Sequence, residues 1–169
     1  MQRNITISLY ALLLLSLTVS GSLAQDSRSV LSDSHKAVEE THHLFNGTDL
    51  TGWYTFLEER GRDNDPRDVF TVQNEMIRIS GEEWGCITTN KEFEDYHIIL
   101  EYKWGTLTYP PRENKARDSG LLLHSKGKDG GFGGKWINSI ECQMIEGGTG
   151  DIIVVGDGSD RFSVTAPVA

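Results

Sequence analysis

Glu141 and Gln143 stand two residues apart in a short apolar run, Ile140–Ile145, and His124 ends another, Gly120–His124. Side chains alternate across an extended strand, so Glu141 and Gln143 share one face while Cys142 and Met144 take the other. By the same parity Asp118, Gly120, Leu122 and His124 fall together, opposite Ser119, Leu121 and Leu123. A carboxylate and an amide so spaced project side by side about 7 Å apart, and an imidazole on a neighbouring strand can meet them. Such a set suits general acid–base chemistry or the binding of a divalent metal, with Glu141 and His124 as the candidates for either. Gln143, Arg117 and Asp118 are the candidates for holding substrate hydroxyls or a developing oxyanion. Each has a plainer reading: a solvated sheet face for Glu141 and Gln143, a loop cap for His124, a surface ion pair for Arg117 with Asp118.

The elements that would carry these residues are all strands. Val69–Val72 and Met76–Ile79, separated by Gln73-Asn74-Glu75, predict a hairpin. Cys86–Thr89 and Tyr96–Trp104 follow as strands, the second with Tyr96, Ile98, Leu100, Tyr102 and Trp104 on one face. Thr106–Arg117, with Pro110-Pro111 and several charges, reads as an exposed loop. The glycine-rich Lys126–Gly134 connects the two candidate strands; it lacks a following Lys-Ser/Thr pair, so it is not a phosphate loop, and it is either a lid or a plain mobile loop. Ile152–Val155 is one more apolar β-run. No long amphipathic helix is predicted anywhere. Several short strands separated by turns predict an all-β sandwich of antiparallel sheets.

The ends and the bulk composition set further expectations. Arg3, the apolar Ile5–Val19 and the small residues Ser22-Leu23-Ala24 make residues 1–24 a secretory signal peptide, too short in its apolar core for a comfortable membrane span. Residues 25–43 read as a polar linker, with His42-His43 as solvated linker histidines, and residues 44–169 as one domain. The net charge is −9, and removal of a leader carrying one basic residue makes it −10. That balance disfavours nucleic acid and anionic lipid as partners. Cys86 and Cys142 permit one disulfide in an exported chain, and equally fit two buried thiols. Around Asn46-Gly47, a tight-turn signal, Leu44, Phe45, Leu50 and Trp53 are expected core anchors.

Three stretches, LFNGTDLTGW (Leu44–Trp53), SGLLLH (Ser119–His124) and IECQMIE (Ile140–Glu146), resemble the 3-keto-disaccharide hydrolase domain family, also described as 3-keto-glucoside lyase/hydratase, over roughly Leu44 to Val155. The resemblance implies a concanavalin A-like jelly-roll with a carbohydrate site on its concave sheet. It also implies a periplasmic or secreted enzyme cleaving 3-keto-disaccharides or 3-keto-glucosides. A sugar oxidised at C3 has an acidic C2 hydrogen; a base removes it, the glycosidic oxygen leaves, and water adds back, giving net hydrolysis. On that reading Glu141 is the base, His124 the acid or a metal ligand, and Gln143 and Arg117 hold hydroxyls or the enolate oxygen. Two features depart from the family pattern. Asp118-Ser119-Gly120 and His124 stand where Asn-Ser-Gly and a terminal Arg are common, and the further closing strands are missing, so the sandwich is expected to be C-terminally truncated. A non-catalytic carbohydrate-binding module is the alternative, using Trp53, Trp84, Trp104 or Trp136 to stack on sugar, though Trp104 reads as core.

Overall fold

The computed structural model describes residues 8–13, as backbone, and residues 40–156. The described residues contain strands and turns and no helix. All strand pairs are antiparallel, and the architecture is a β-sandwich whose ladders divide into four small sheets. The jelly-roll winding is carried by the family resemblance alone. The strands are β1 (Ser8–Leu13), β2 (Glu40–His43), β3 (Trp53–Leu57), β4 (Gly61–Arg62), β5 (Phe70–Gln73), β6 (Met76–Ile79), β7 (Gly85–Thr89), β8 (Tyr96–Glu101), β9 (Gly120–Lys126), β10 (Asn138–Ile145) and β11 (Gly148–Val155). They pair in the orders β2-β1-β8, β4-β3-β7, β5-β6 and β11-β10-β9.

Both buried apolar clusters lie in the first half of the domain, with Ile137, Met144 and Val155 buried outside them. Ile77 is fully buried among Leu44, Phe45, Leu50, Trp53, Ile79, Ile87, Ile98 and Leu100. Leu57, Val69 and Phe70 form a second buried group that shares Leu50, Ile79 and Ile87 with the first. The LFNGTDLTGW segment folds as expected around its turn. Asn46 Oδ1 accepts from the backbone N–H groups of Thr48 (2.8 Å) and Asp49 (3.0 Å), and Trp53 Nε1 donates to the Leu44 carbonyl at 2.8 Å. The Trp53 bond gives a partner to a part-buried polar group, whereas the two Asn46 bonds close an exposed turn. The β5–β6 hairpin turns on Asn74 and Glu75, both at positive φ as a two-residue primed turn requires.

Several expectations change on contact with the structure. β8 ends at Glu101, three residues before Trp104, and Trp104 is only half-buried beside Tyr102. β11 starts at Gly148, four residues before the expected apolar run Ile152–Val155. Residues 40–43, at the end of the polar stretch, form β2. Six residues of the segment read as a leader form β1, with Leu9 opposite Leu100 and Ala11 opposite Ile98 on one side, and Ala11 opposite His42 on the other. A short apolar run satisfies a strand as readily as the core of a leader. Cys86 on β7 and Cys142 on β10 are both free thiols, so the disulfide permitted by the count is not formed. Burial pushes the Cys86 thiol above its ordinary value.

Candidate functional site

The candidate residues meet on the sheet β11-β10-β9. β10 is its central strand, with Glu141 opposite Leu122 of β9 and Ile153 of β11, and Gln143 opposite Gly120. Beyond the strand ends the ladder continues: Met144 N–H donates to the Ser119 carbonyl (2.9 Å) and Glu146 N–H to the Arg117 carbonyl (2.8 Å). This extension holds Asp118 in register, on the same side as Gly120. Glu141 leans along the strand until its carboxylate covers Gly120; a Cβ on that glycine would fall 1.8 Å from Glu141 Oε1. A side chain at this glycine would therefore displace the Glu141 carboxylate. An open space of about 1230 Å³ borders this face and extends to core residues such as Ile77, Ile87 and Leu100.

Electrostatics mark Glu141 within this group. Burial, and after it the neighbouring Asp118 charge, push its carboxyl above the ordinary carboxylate range. Asp118 is an exposed residue whose side chain is only 24% exposed, because its Oδ2 lies 3.2 Å from Arg112 Nη1. Two carboxylates thus share one strand face, Asp118 paired with a cation and Glu141 partly dry. That is the usual arrangement for separating a proton carrier from a fixed anion.

The remaining predicted residues are placed differently. Gln143 shares the Glu141 face, and its Oε1 accepts from the Met144 backbone N–H at 2.7 Å. Arg117 does not pair with Asp118: its guanidinium binds both carboxylate oxygens of Glu146, through Nε at 3.0 Å and through Nη2, and Nη1 donates to the Gly105 carbonyl. The Arg117 hydrogen bond holds the exposed Glu146 carboxyl below its ordinary range. His124 is exposed and sits at positive φ, where the register between β9 and β10 shifts. The bulge breaks the parity that would have aligned it with Glu141. Its ring lies beside Tyr96, centroids 5.4 Å apart and tilted by 30°, and no hydrogen bond or ion pair joins it to Glu141. Among the described residues, no group of three or more His, Cys, Asp or Glu is close enough to hold a metal ion. Glu141 with Asp118 supplies two oxygen donors, and His124 is not brought to them.

Sequence reasoning missed Arg112. It sits one residue past Pro110-Pro111 in a loop with no periodicity, and nothing in its local sequence tells that it reaches Asp118. The loop between β9 and β10 is also better anchored than a free lid. Asp129 accepts from the Tyr54 hydroxyl at 2.9 Å and from Arg62 Nη2 at 2.7 Å, and Arg62 lies over the Tyr54 ring. Lys135 lies 3.4 Å from Glu58, and Trp136 meets Trp84 edge to face.

Comparison with protein-family models gives one match: the 3-keto-alpha-glucoside-1,2-lyase-like domain, over residues 40–162. The chain belongs to this family. No curated protein and no solved structure matches it. The resemblance read from the three motifs is thereby borne out, and the matched span begins at the first residue of β2. In this 3-keto-alpha-glucoside-1,2-lyase-like domain, two of the motifs are the strands β9 and β10 that carry Gly120 and Glu141, and the third is the turn that closes the core.

Proposed function

We propose that the protein cleaves 3-keto-glycosides by removing the C2 proton, expelling the glycosidic oxygen and hydrating the product, with Glu141 as the base. The family supports an enzyme-like domain directed at 3-keto-glycosides. The observation that carries the finer reading is the partly dry Glu141 carboxyl, raised by burial and held over Gly120. A base matched to C2–H acidity needs a proton affinity nearer neutrality than an exposed glutamate has, and desolvation supplies that shift. The C3 carbonyl is what makes the hydrogen acidic, so the enolate oxygen needs a donor, and the Gln143 amide on the same face offers one. His124 lies beyond the bulge, so its part as acid requires the substrate to reach the outer end of the cleft. A periplasmic or secreted setting is part of the proposal; it draws on the leader pattern of residues 1–24, whose cleavage would remove β1 from between β2 and β8.

The binding-module reading depends on open aromatic faces. Here Trp136 stacks on Phe132, Lys135 lies over the Trp84 ring, and Trp53 is tied into the core. Kinetics separate the two readings. Glu141→Gln is expected to lower kcat on a 3-keto-glucoside by about 10²- to 10⁴-fold while sugar affinity is nearly unchanged. Absence of turnover in the parent chain, with affinity lost in the variant, would establish a binding module instead.

A further inference from the structure

We propose that the loop between β9 and β10 is a clasp over the His124 end of the open space beside the site sheet, with Asp129 as its catch: release of Asp129 opens that space to small molecules. The proposal rests on the functional reading above only in taking the natural entrant to be a 3-keto-glycoside.

The loop joins the two strands that carry the site. β9 ends at Lys126, two residues past His124, and β10 starts at Asn138, three residues before Glu141. Between them the chain is folded on itself. Gly131 N–H donates to the Lys128 carbonyl (3.1 Å), Gly134 N–H to the Gly130 carbonyl (3.1 Å), and Phe132 and Trp136 exchange backbone bonds of 2.8 and 3.2 Å. Gly127, at φ 88°, makes a left-handed turn next to β9. A loop closed by its own bonds can swing as one piece about such a turn.

No ladder joins the site sheet to the sheet β4-β3-β7, and the loop crosses from one to the other. Both carboxylate oxygens of Asp129 serve that crossing. Oδ1 accepts from the Tyr54 hydroxyl of β3 at 2.9 Å; Oδ2 accepts from Arg62 of β4, through Nε at 3.0 Å and Nη2 at 2.7 Å. The two receiving groups brace each other, because the Arg62 guanidinium lies 3.7 Å from the centre of the Tyr54 ring. A plain surface ion pair contributes little. Here the Asp129 side chain is only 13% exposed, so without its donors it must leave for water or stay as an uncompensated charge. Lys135 and Trp136 fasten the other end of the loop, to Glu58 and Trp84, so Asp129 is the hold nearest β9. Tyr54, Arg62, Phe132 and Ser125 border the same open space as His124 and Glu141, and so does the half-buried Cys86.

The test has two readouts on the full chain without substrate, in wild type, Asp129→Ala, Arg62→Ala, the double variant and Arg62→Lys. Hydrogen exchange of residues 127–134 should quicken about 10- to 100-fold in Asp129→Ala, with the β5–β6 hairpin at its wild-type rate. Arg62→Ala should act likewise and add little in the Asp129→Ala background, since both cut one hold. Arg62→Lys keeps the charge without the fork and should restore only part of the protection. Alkylation by iodoacetamide, located by mass spectrometry, should quicken about 10-fold at Cys86 and not at Cys142 in both alanine variants. Loss of Asp129 and loss of Arg62 act on the Cys86 thiol with opposite electrostatic sign, so a gain in both reports access. Wild-type exchange in residues 127–134 of folded Asp129→Ala, equal quickening in β5–β6, or a gain at Cys86 in one alanine variant alone would overturn the proposal. Should Asp129→Ala fail to fold, Tyr54→Phe decides it: losing one bond to Asp129 should quicken exchange of the same residues about threefold, and no change contradicts it. These gains in a protein with no turnover would refute the functional reading alone; turnover in wild type without them would refute this inference alone.

Discussion

Gly85 on β7 and Gly120 on β9 are both strand glycines without left-handed backbone, and both are glycine because something lies where a Cβ would be. At Gly85 that Cβ would fall 2.2 Å from the Phe56 carbonyl oxygen and 2.8 Å from a Leu57 methyl carbon. At Gly120 it would meet the carboxylate of Glu141. One obstacle is backbone and a fully buried core leucine; the other is the end of a flexible charged side chain. The same residue type thus serves the fold in one region and the site in the other. The first region is closed around Leu57 and Ile77, whereas β11 leaves Ile152, Ile153 and Val154 exposed at the edge of the site sheet.

That contrast breaks most visibly at Gly85. Gly85→Ala should destabilise the protein by about 3 kcal/mol, since neither obstacle can move without disturbing the β3–β7 ladder; urea denaturation measures it. A loss below about 1 kcal/mol would remove the distinction between the two glycines. Gly120→Ala should do the reverse, lowering turnover of a 3-keto-glucoside about 100-fold by displacing Glu141, with Tm within about 3 °C of wild type. Unfolding of that variant, with no selective loss of turnover, would make Gly120 another fold glycine.

The smallest effect sharpens the contrast at Glu141 itself. Its folded-state carboxyl binds its proton more tightly than in the unfolded chain. Stability from this group is therefore complete below the ordinary carboxylate value and is lost as pH rises through the raised one. Glu141→Gln should raise Tm by about 2 °C at pH 8 and not at pH 4. An equal gain at both values would show that the carboxylate is not strained by burial.

The sequence displayed β5–β11 and the core anchors because both have local signals, whereas β3 and β4 were not read from it. The hairpin at Asn74-Glu75 is a two-residue turn between apolar runs, and Trp53 follows Asn46-Gly47 at a spacing that lets it close on Leu44. Glu141 and Gln143 sharing a face followed from parity alone, and β10 keeps that parity against β9 through Gln143. Parity failed at His124, because a bulge inserts a residue without any mark that a strand pattern can show. It was silent on Arg112, whose reach to Asp118 crosses an irregular loop. The exchange of partners that gives Arg117 to Glu146 is likewise a long-range choice, 29 residues apart in the chain. An apolar run such as Ser8–Leu13 carries too little pattern to separate strand from leader.

The most direct test of the account is the isotopic content of the product formed in D₂O. If Glu141 removes the C2 proton and hydration follows elimination, the 3-keto sugar released from a 3-keto-glucoside carries solvent deuterium at C2, beyond the exchange shown by product incubated alone. Glu141→Gln should abolish that incorporation together with turnover. Release of a sugar that retains its original C2 hydrogen would mean direct cleavage of the glycosidic bond, and Glu141 would not be the base described here.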